Sequence, residues 1–160
     1  MLLYDIENSP MGVWVWPGSL YERDVIRVVE DWYMLTIAWK WLGQTRVSSL
    51  ALEKEKDDYN LCAKLHTLFD EADVIVAHNG DGFDKPKAYT RLIQQGFDPP
   101  SPSKTIDTLK VARRHFQFNS NKLDALGDTL GVGRKAPSGG FDTWEGCMAL
   151  DPKAIARMKR

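Results

Sequence analysis

Cysteine and histidine are scarce in this chain, at two and three of 160 residues. Cys62 and Cys147 sit in unrelated contexts with no CxxC or CxxH partner. That spacing argues against structural zinc and leads us to expect two reduced thiols in a cytoplasmic protein. No apolar run approaches the ~20 residues needed to cross a bilayer. The N-terminus lacks a basic segment, an apolar stretch and a small-residue cleavage site in succession, so no secretory signal is expected. An excess of charge of either sign is also missing: 21 Lys and Arg face 22 Asp and Glu, for a net charge of −1. Such neutrality neither favours nor excludes a nucleic-acid partner. Internal repeats and low-complexity tracts are absent.

What is present is ordinary for a globular domain, with 43% hydrophobic and 27% charged residues and length enough for one hydrophobic core. Basic residues concentrate late, among them Arg113, Arg114, Lys122, Arg134, Lys135 and Arg157. This bias fits either a phosphate-facing flank or solvated helix faces.

Leu2–Glu7 reads as a buried strand punctuated by Asn8-Ser9-Pro10, and Val13–Trp16 as a second, closed by Pro17-Gly18. Between Val25 and Leu52 lie two β-rich runs, Trp32–Trp41 and Val47–Leu52, with a hairpin turn at Gly43-Gln44-Thr45. The period then becomes helical from Tyr59 to Phe69, with Asp57 or Asp58 as N-cap. Asp73–Ala77 is a strand of the buried parallel type. Helices are expected over Lys87–Gln95, Leu109–Phe116 and Leu123–Leu130, with a brief strand at Thr105–Asp107. Ala136–Gly140 reads as a loop, and Asp151-Pro152 opens a final helix. Antiparallel strands followed by alternating helices and strands predict an α/β fold, a mixed β-sheet flanked by helices.

The chemistry lies in the acids. Asp5 and Glu7 are separated by one strand residue, so they share a face while Ile6 turns to the other. Two acids side by side in an apolar strand repel each other and lose hydration. Divalent cations relieve that penalty, since Mg²⁺ and Mn²⁺ prefer hard oxygen ligands. The second acidic motif is His78-Asn79-Gly80-Asp81-Gly82-Phe83-Asp84, which follows the Asp73–Ala77 strand. Parallel α/β sheets place ligands at such strand-to-helix turns. Each acid alone has an ordinary alternative: a solvent-facing strand end for Asp5 and Glu7, a turn residue for Asp81, an N-cap for Asp84. His78 reads as structural, having no His or Cys partner at metal spacing. A nucleotide-binding turn is the weakest alternative, because the motif lacks the lysine of a P-loop and the spacing of a dinucleotide fingerprint.

Taken together, Asp5-Ile6-Glu7 with Ser9-Pro10, and Ala77-His78-Asn79-Gly80-Asp81-x-Phe83-Asp84, resemble the DEDD 3′–5′ exonucleases of RNase H-like fold. The resemblance is nearest to stand-alone bacterial and phage relatives of the family-B DNA polymerase proofreading domain. Thr105–Arg114, Asn119-x-Asn121-Lys122-Leu123-Asp124-x-Leu126, Lys40–Gly43 and Trp144-x-x-Cys147-Met148 extend the likeness along the whole chain.

The resemblance implies one exonuclease-like domain over residues 1–160, acting on the 3′ end of single-stranded DNA with two Mg²⁺ or Mn²⁺ ions. Asp5, Glu7 and Asp84 would be the catalytic metal ligands, Asp5 bridging both ions. Asn79 and Phe83 would position the 3′ end, and Ser9 with Pro10 would shape the pocket. Asp81 is normally not a ligand, and Asp107 would support the site from a strand-to-helix junction. The family carries a further aspartate in a Tyr-x-x-x-Asp or His-x-x-x-x-x-Asp motif on its last helix. No tyrosine follows Tyr89, and Asn121 stands six residues after His115. The expectation is therefore a domain without that helix, with a partner chain or a second copy to supply it, or a weakly catalytic nucleic-acid-binding module. An RNase or endonuclease on the same scaffold is the remaining rival. Of the strand tryptophans, Trp14, Trp16, Trp39 and Trp41, core packing is the expected role, with base stacking as the alternative.

Overall fold

The computed structural model describes residues 1–18, 24–136 and 139–159. Its centre is a five-stranded mixed sheet in the order β5-β4-β1-β6-β7. These strands are β1 (Leu2–Asn8), β4 (Met34–Trp41), β5 (Ser48–Ala51), β6 (Val74–Ala77) and β7 (Lys104–Asp107). β1 pairs antiparallel with β4 and parallel with β6; β4 pairs antiparallel with β5, and β6 parallel with β7. The expected mixed α/β architecture is what the chain adopts.

Alternation along β1 decides which face each residue takes. Leu2, Tyr4 and Ile6 are buried in the main core, leaving Leu3, Asp5 and Glu7 on the opposite face. Two helices cover the Leu2 face. Leu61, Cys62, Leu65, Leu68 and Phe69 of α1 (Tyr59–Asp70) and Ala88 and Leu92 of α2 (Asp84–Gln94) pack there. The Tyr4 and Phe69 rings meet edge to face, 5.0 Å between centroids. A second core joins Tyr33, Leu35 and Leu52 to Cys147 and Ala154, which belong to α5 (Phe141–Met148) and α6 (Pro152–Met158). The two cysteines thus lie in separate cores, both unpaired. Burial, reinforced by the charge of Asp58, pushes the Cys62 thiol up to about 12, which keeps it unreactive.

Two elements differ from the sequence reading. β3 (Val25–Glu30) is a strand that was not expected; it forms a separate two-stranded ribbon with β2 (Gly12–Val15). Its apolar residues do not alternate with polar ones, and Ile26, Val28 and Val29 stay exposed. The ribbon also corrects the tryptophan expectation: Trp14 and Trp16 are exposed, whereas Trp39 and Trp41 pack against the main core. α5 was not expected as a helix either. Its interior Gly146 weakens the helical signal, but the same glycine lets α6 approach, since a Cβ there would lie 2.5 Å from that of Ala154. Asp58 takes the N-cap position of α1, yet its carboxylate makes no cap bond and goes to Arg91 instead.

The remaining helices match closely: α3 (Thr108–His115) and α4 (Leu123–Thr129), and α6 with Asp151 accepting from the Lys153 amide at 3.1 Å. Residues 137–138 of the expected Ala136–Gly140 loop lie outside the described residues. Among those described, no helix is long and apolar enough to cross a membrane.

Candidate active site

The face of β1 that carries Asp5 and Glu7 forms the floor of a cleft of about 690 Å³. Their cross-strand neighbours on β4 are Ala38 and Thr36. Both are small, so the sheet does not fill the space above the acids. α5 and α6 wall the cleft with Thr143, Trp144, Arg157 and Met158, and the turn before α2 contributes Asn79, Phe83 and Asp84. Asp5, Glu7 and Asp84 therefore line one space, although the last two are 77 positions apart. Ser9 does not line it. Its hydroxyl is buried and accepts the Tyr33 amide at 2.9 Å, while its own amide donates to the Tyr33 carbonyl at 2.8 Å. Ser9 thus ties the end of β1 to the start of β4.

The turn that delivers Asp84 is built on Asp107. Its carboxylate accepts the amides of Asn79 at 2.9 Å and Asp81 at 3.3 Å, and caps α3 through those of Leu109 and Lys110. This is the supporting role expected of it, at the junction of β7 and α3. Asn79 takes a left-handed conformation, φ 65°, which asparagine tolerates better than most residues. Its carbonyl accepts the amides of Gly82 and Phe83. Gly80 packs flat on β6, where any Cβ would collide with that of Ala77. Asp81 does not line the cleft; it pairs with Lys110 at 2.7 Å, which holds its carboxyl below the usual range. His78 is structural, as expected: its ring nitrogens meet the Thr108 hydroxyl at 2.9 Å and the Asn121 carbonyl at 3.0 Å.

The cleft acids hold protons more tightly than free carboxyls. Burial raises Asp84 to about 6, with the charge of Asp5 adding most and that of Glu7 adding more; amide bonds from its own N–H and that of Ile6 pull the other way. Burial also raises Asp5, against the pull of the Lys135 charge and the Ile6 amide. Glu7 is raised by burial and by the charge of Asp5. Protein surrounds Asp5 even though its own surface opens to solvent through the cleft mouth. The three acids are thus within electrostatic reach of one another, an arrangement that a cation stabilises. Their oxygens are the donors that Mg²⁺ or Mn²⁺ requires, so the residues fit such an ion by chemistry. They do not form a closed cage: among the described residues, no group of three His, Cys, Asp or Glu side chains stands ready to hold a metal.

Cations rim the cleft, with Arg134, Lys135, Arg157 and Lys159 in its walls. A neighbouring groove of about 430 Å³ is lined by Arg113 and Lys122 and shares His78 and Leu123 with it. The late basic bias of the sequence is in part this rim. Sequence reasoning missed Trp32 and Lys87, which stack beside the cleft residue Phe83 through the Lys87 ammonium. Their contact joins residues 55 positions apart, and only the fold reveals it.

Comparison with known proteins fixes the family. Residues 30–143 match the RNase H superfamily, and the chain belongs to it. Asp5 and Glu7 precede the matched segment. Over 83 residues, 51% of this chain, the sequence is 34% identical to a DNA polymerase III of PolC type from Ureaplasma parvum serovar 3, and the alignment spans 6% of that protein. The fold is shared with the family B DNA polymerase of the hyperthermophilic archaeon Pyrobaculum calidifontis, at a TM-score of 0.64 and 18% identity. That match covers 99% of this chain and 22% of the polymerase. A nuclease of the RNase H-like class is the coarse assignment these relatives support.

Proposed function

We propose that residues 1–160 are a single exonuclease-like domain that removes nucleotides from the 3′ end of single-stranded DNA with two divalent cations. The observation that carries this reading is the convergence of Asp5, Glu7 and Asp84 on one cleft, where burial raises all three carboxyls and the charge of Asp5 raises the other two further. Asp5, Glu7 and Asp84 would hold Mg²⁺ or Mn²⁺. Bound cations would supply water activation and neutralisation of charge at the leaving 3′ oxygen.

The protein's own share is positioning. Without a bound cation Asp84 keeps its proton up to about pH 6 and releases it above, so its carboxylate is free to serve as a ligand near neutrality. Phe83, 44% exposed at the cleft, offers a ring face to the terminal base. Asn79, on the same turn, presents its side chain to the cleft from a backbone fixed by Asp107. Arg134, Lys135, Arg157 and Lys159 counter the phosphate charge.

A second reading, a nucleic-acid-binding module of weak activity, draws on the open spacing of the acids, which form no ready metal cage among the described residues. A 5′-labelled single strand, incubated with Mn²⁺, Mg²⁺ or EDTA beside an Asp5→Ala control, separates the two. A metal-dependent ladder shortening from the 3′ end, absent in the control, is the expected result. Binding without cleavage in any metal supports the module instead, and cleavage of circular strands would mark an endonuclease.

A further inference from the structure

Three side chains stack together beside the carboxylate cleft, which one of them, Phe83, lines. The Lys87 ammonium lies 4.4 Å from the centre of the Trp32 ring and 4.8 Å from that of Phe83. Trp32 belongs to the link between β3 and β4, whereas Phe83 and Lys87 flank the start of α2. Lys87 follows Asp84 by three residues, so the two lie on the same side of the helix. The Arg91 guanidinium stands 5.8 Å from the same Trp32 ring, but it is committed to Asp58. Lys110 is likewise committed to Asp81, and Arg134 to Asp128. Lys87 is different: among the described residues it has neither an ion-pair partner nor a hydrogen-bond acceptor in contact, only the two ring faces, with the charges of Asp31 and Asp84 acting on it from farther off.

A half-buried ammonium without an acceptor leaves its N–H donors unspent. Ring faces attract the charge and fix its position, but they accept no strong hydrogen bond. The group is therefore preorganised for an anion, and little side-chain freedom remains to be lost on binding. Free anions are poor candidates, because Asp5, Glu7 and Asp84 make the adjoining cleft negative. An anion carried on a strand that makes other contacts escapes that objection, and a phosphate presents the oxygens that an ammonium needs. Phe83 beside it offers the stacking surface that such a strand uses.

We propose that Lys87, held between the Phe83 and Trp32 rings, contacts a backbone phosphate of the DNA strand whose 3′ end enters the carboxylate cleft. The contact rests on the exonuclease reading and adds to it a defined phosphate site. Trp32 is a positioning residue there, acting on the phosphate only through Lys87.

The test is the salt dependence of binding, followed by anisotropy of a fluorescein-labelled oligothymidine on the full chain in EDTA, where no hydrolysis occurs. One phosphate contact to a single strand contributes about 0.7 to the slope of log K against log salt. Lys87→Gln is expected to lower that slope by about 0.7 and to weaken binding several-fold at low salt. Lys87→Arg should restore the slope, and Lys87→Glu should weaken binding further. Trp32→Leu should weaken binding while leaving the slope at the wild-type value, since the charge remains. Circular dichroism and melting temperatures establish that each variant is folded. An unchanged slope in folded Lys87→Gln, with the wild type binding normally, overturns the contact alone. Failure of the wild type to bind single strands at any salt overturns the exonuclease reading and this contact with it.

Discussion

Arg91 grips Asp58 with two parallel hydrogen bonds, Nε at 2.7 Å and a terminal nitrogen at 2.6 Å, and both side chains are almost wholly buried. The same carboxylate accepts the Met34 amide at 2.9 Å and the Gln95 side chain at 2.7 Å. One acid at the head of α1 thus joins α2 to the first residue of β4. α2 begins with Asp84, so this pair sets the height at which that carboxyl meets β1. Removing one partner of a buried ion pair leaves the other charge stranded and costs about 3 kcal/mol. Arg91→Met should therefore lower the melting temperature by roughly 10 °C in a domain of this size. It should also weaken metal-dependent hydrolysis, although Arg91 does not line the cleft. A melting temperature within a degree or two of wild type would show that α2 is anchored elsewhere.

Asp107 anchors the turn before α2 in a similar way. Four amides converge on its carboxylate, two from the 79–81 turn and two from the first turn of α3. Asp107→Ala strands these donors and removes a helix cap, at a cost of about 2–3 kcal/mol. Because Asn79, Phe83 and Asp84 all hang from this turn, activity should fall more steeply than stability. Asp107→Asn keeps an acceptor oxygen and should recover part of both. Urea unfolding and single-strand cleavage, measured on both variants, check the ordering. Equal stability losses in the two variants would mean that the carboxylate geometry is not what holds the turn.

The sequence exposed the acids better than it exposed the frame. Asp5 and Glu7 are legible because a strand period of two puts them on one face, and the Gly-rich turn marks Asp84 for attention. The centre of the sheet is legible for the same reason: β-branched runs bounded by turn residues. What stayed hidden depends on contacts between distant residues. β3 carries apolar side chains that face solvent, so neither alternation nor burial announces it. α5 contains a glycine whose reason is the approach of α6, invisible without the partner helix. Ser9 looked like a pocket residue but bonds Tyr33, a choice made by the way the link before β4 folds back on β1. The Lys87 stack has no local signature at all.

The repulsion within the cleft has a measurable pH signature. Asp84 binds its proton more tightly in the folded chain, with a value near 6, than an unfolded aspartate does at about 3.9. The folded state therefore holds more protons between those values, and stability is fully present below pH 4 for this group and is lost as pH rises through 6. The loss is about 3 kcal/mol. In EDTA, Asp84→Asn removes the ionisation and should melt several degrees above wild type at pH 8, with the difference vanishing near pH 4. The same variant should lose metal-dependent cleavage. A melting difference that does not change between pH 4 and pH 8 would show that the charge of Asp84 is not the source of the strain.

Cations should relieve the strain that protons relieve at low pH. A ligand that binds only the folded state stabilises by about 2.7 kcal/mol at a hundred times its dissociation constant. At pH 7.5, saturating Mn²⁺ should therefore raise the melting temperature of the wild-type chain by roughly 5–10 °C over EDTA. Asp5→Ala and Glu7→Ala each remove a carboxylate from the cleft floor and should cut that shift sharply, while Asp81→Ala should leave it intact, because Asp81 is already paired with Lys110. The shift should also shrink as pH falls below about 6, where Asp84 regains its proton and competes with the ion. Lys135 supplies the internal control. Its charge now offsets that of Asp5 and Glu7, so Lys135→Met should leave the acids less compensated and enlarge the Mn²⁺ shift. Thermal melts of these five proteins with and without the ion test the metal site without any substrate, and equal shifts in all of them would place the ion outside the cleft.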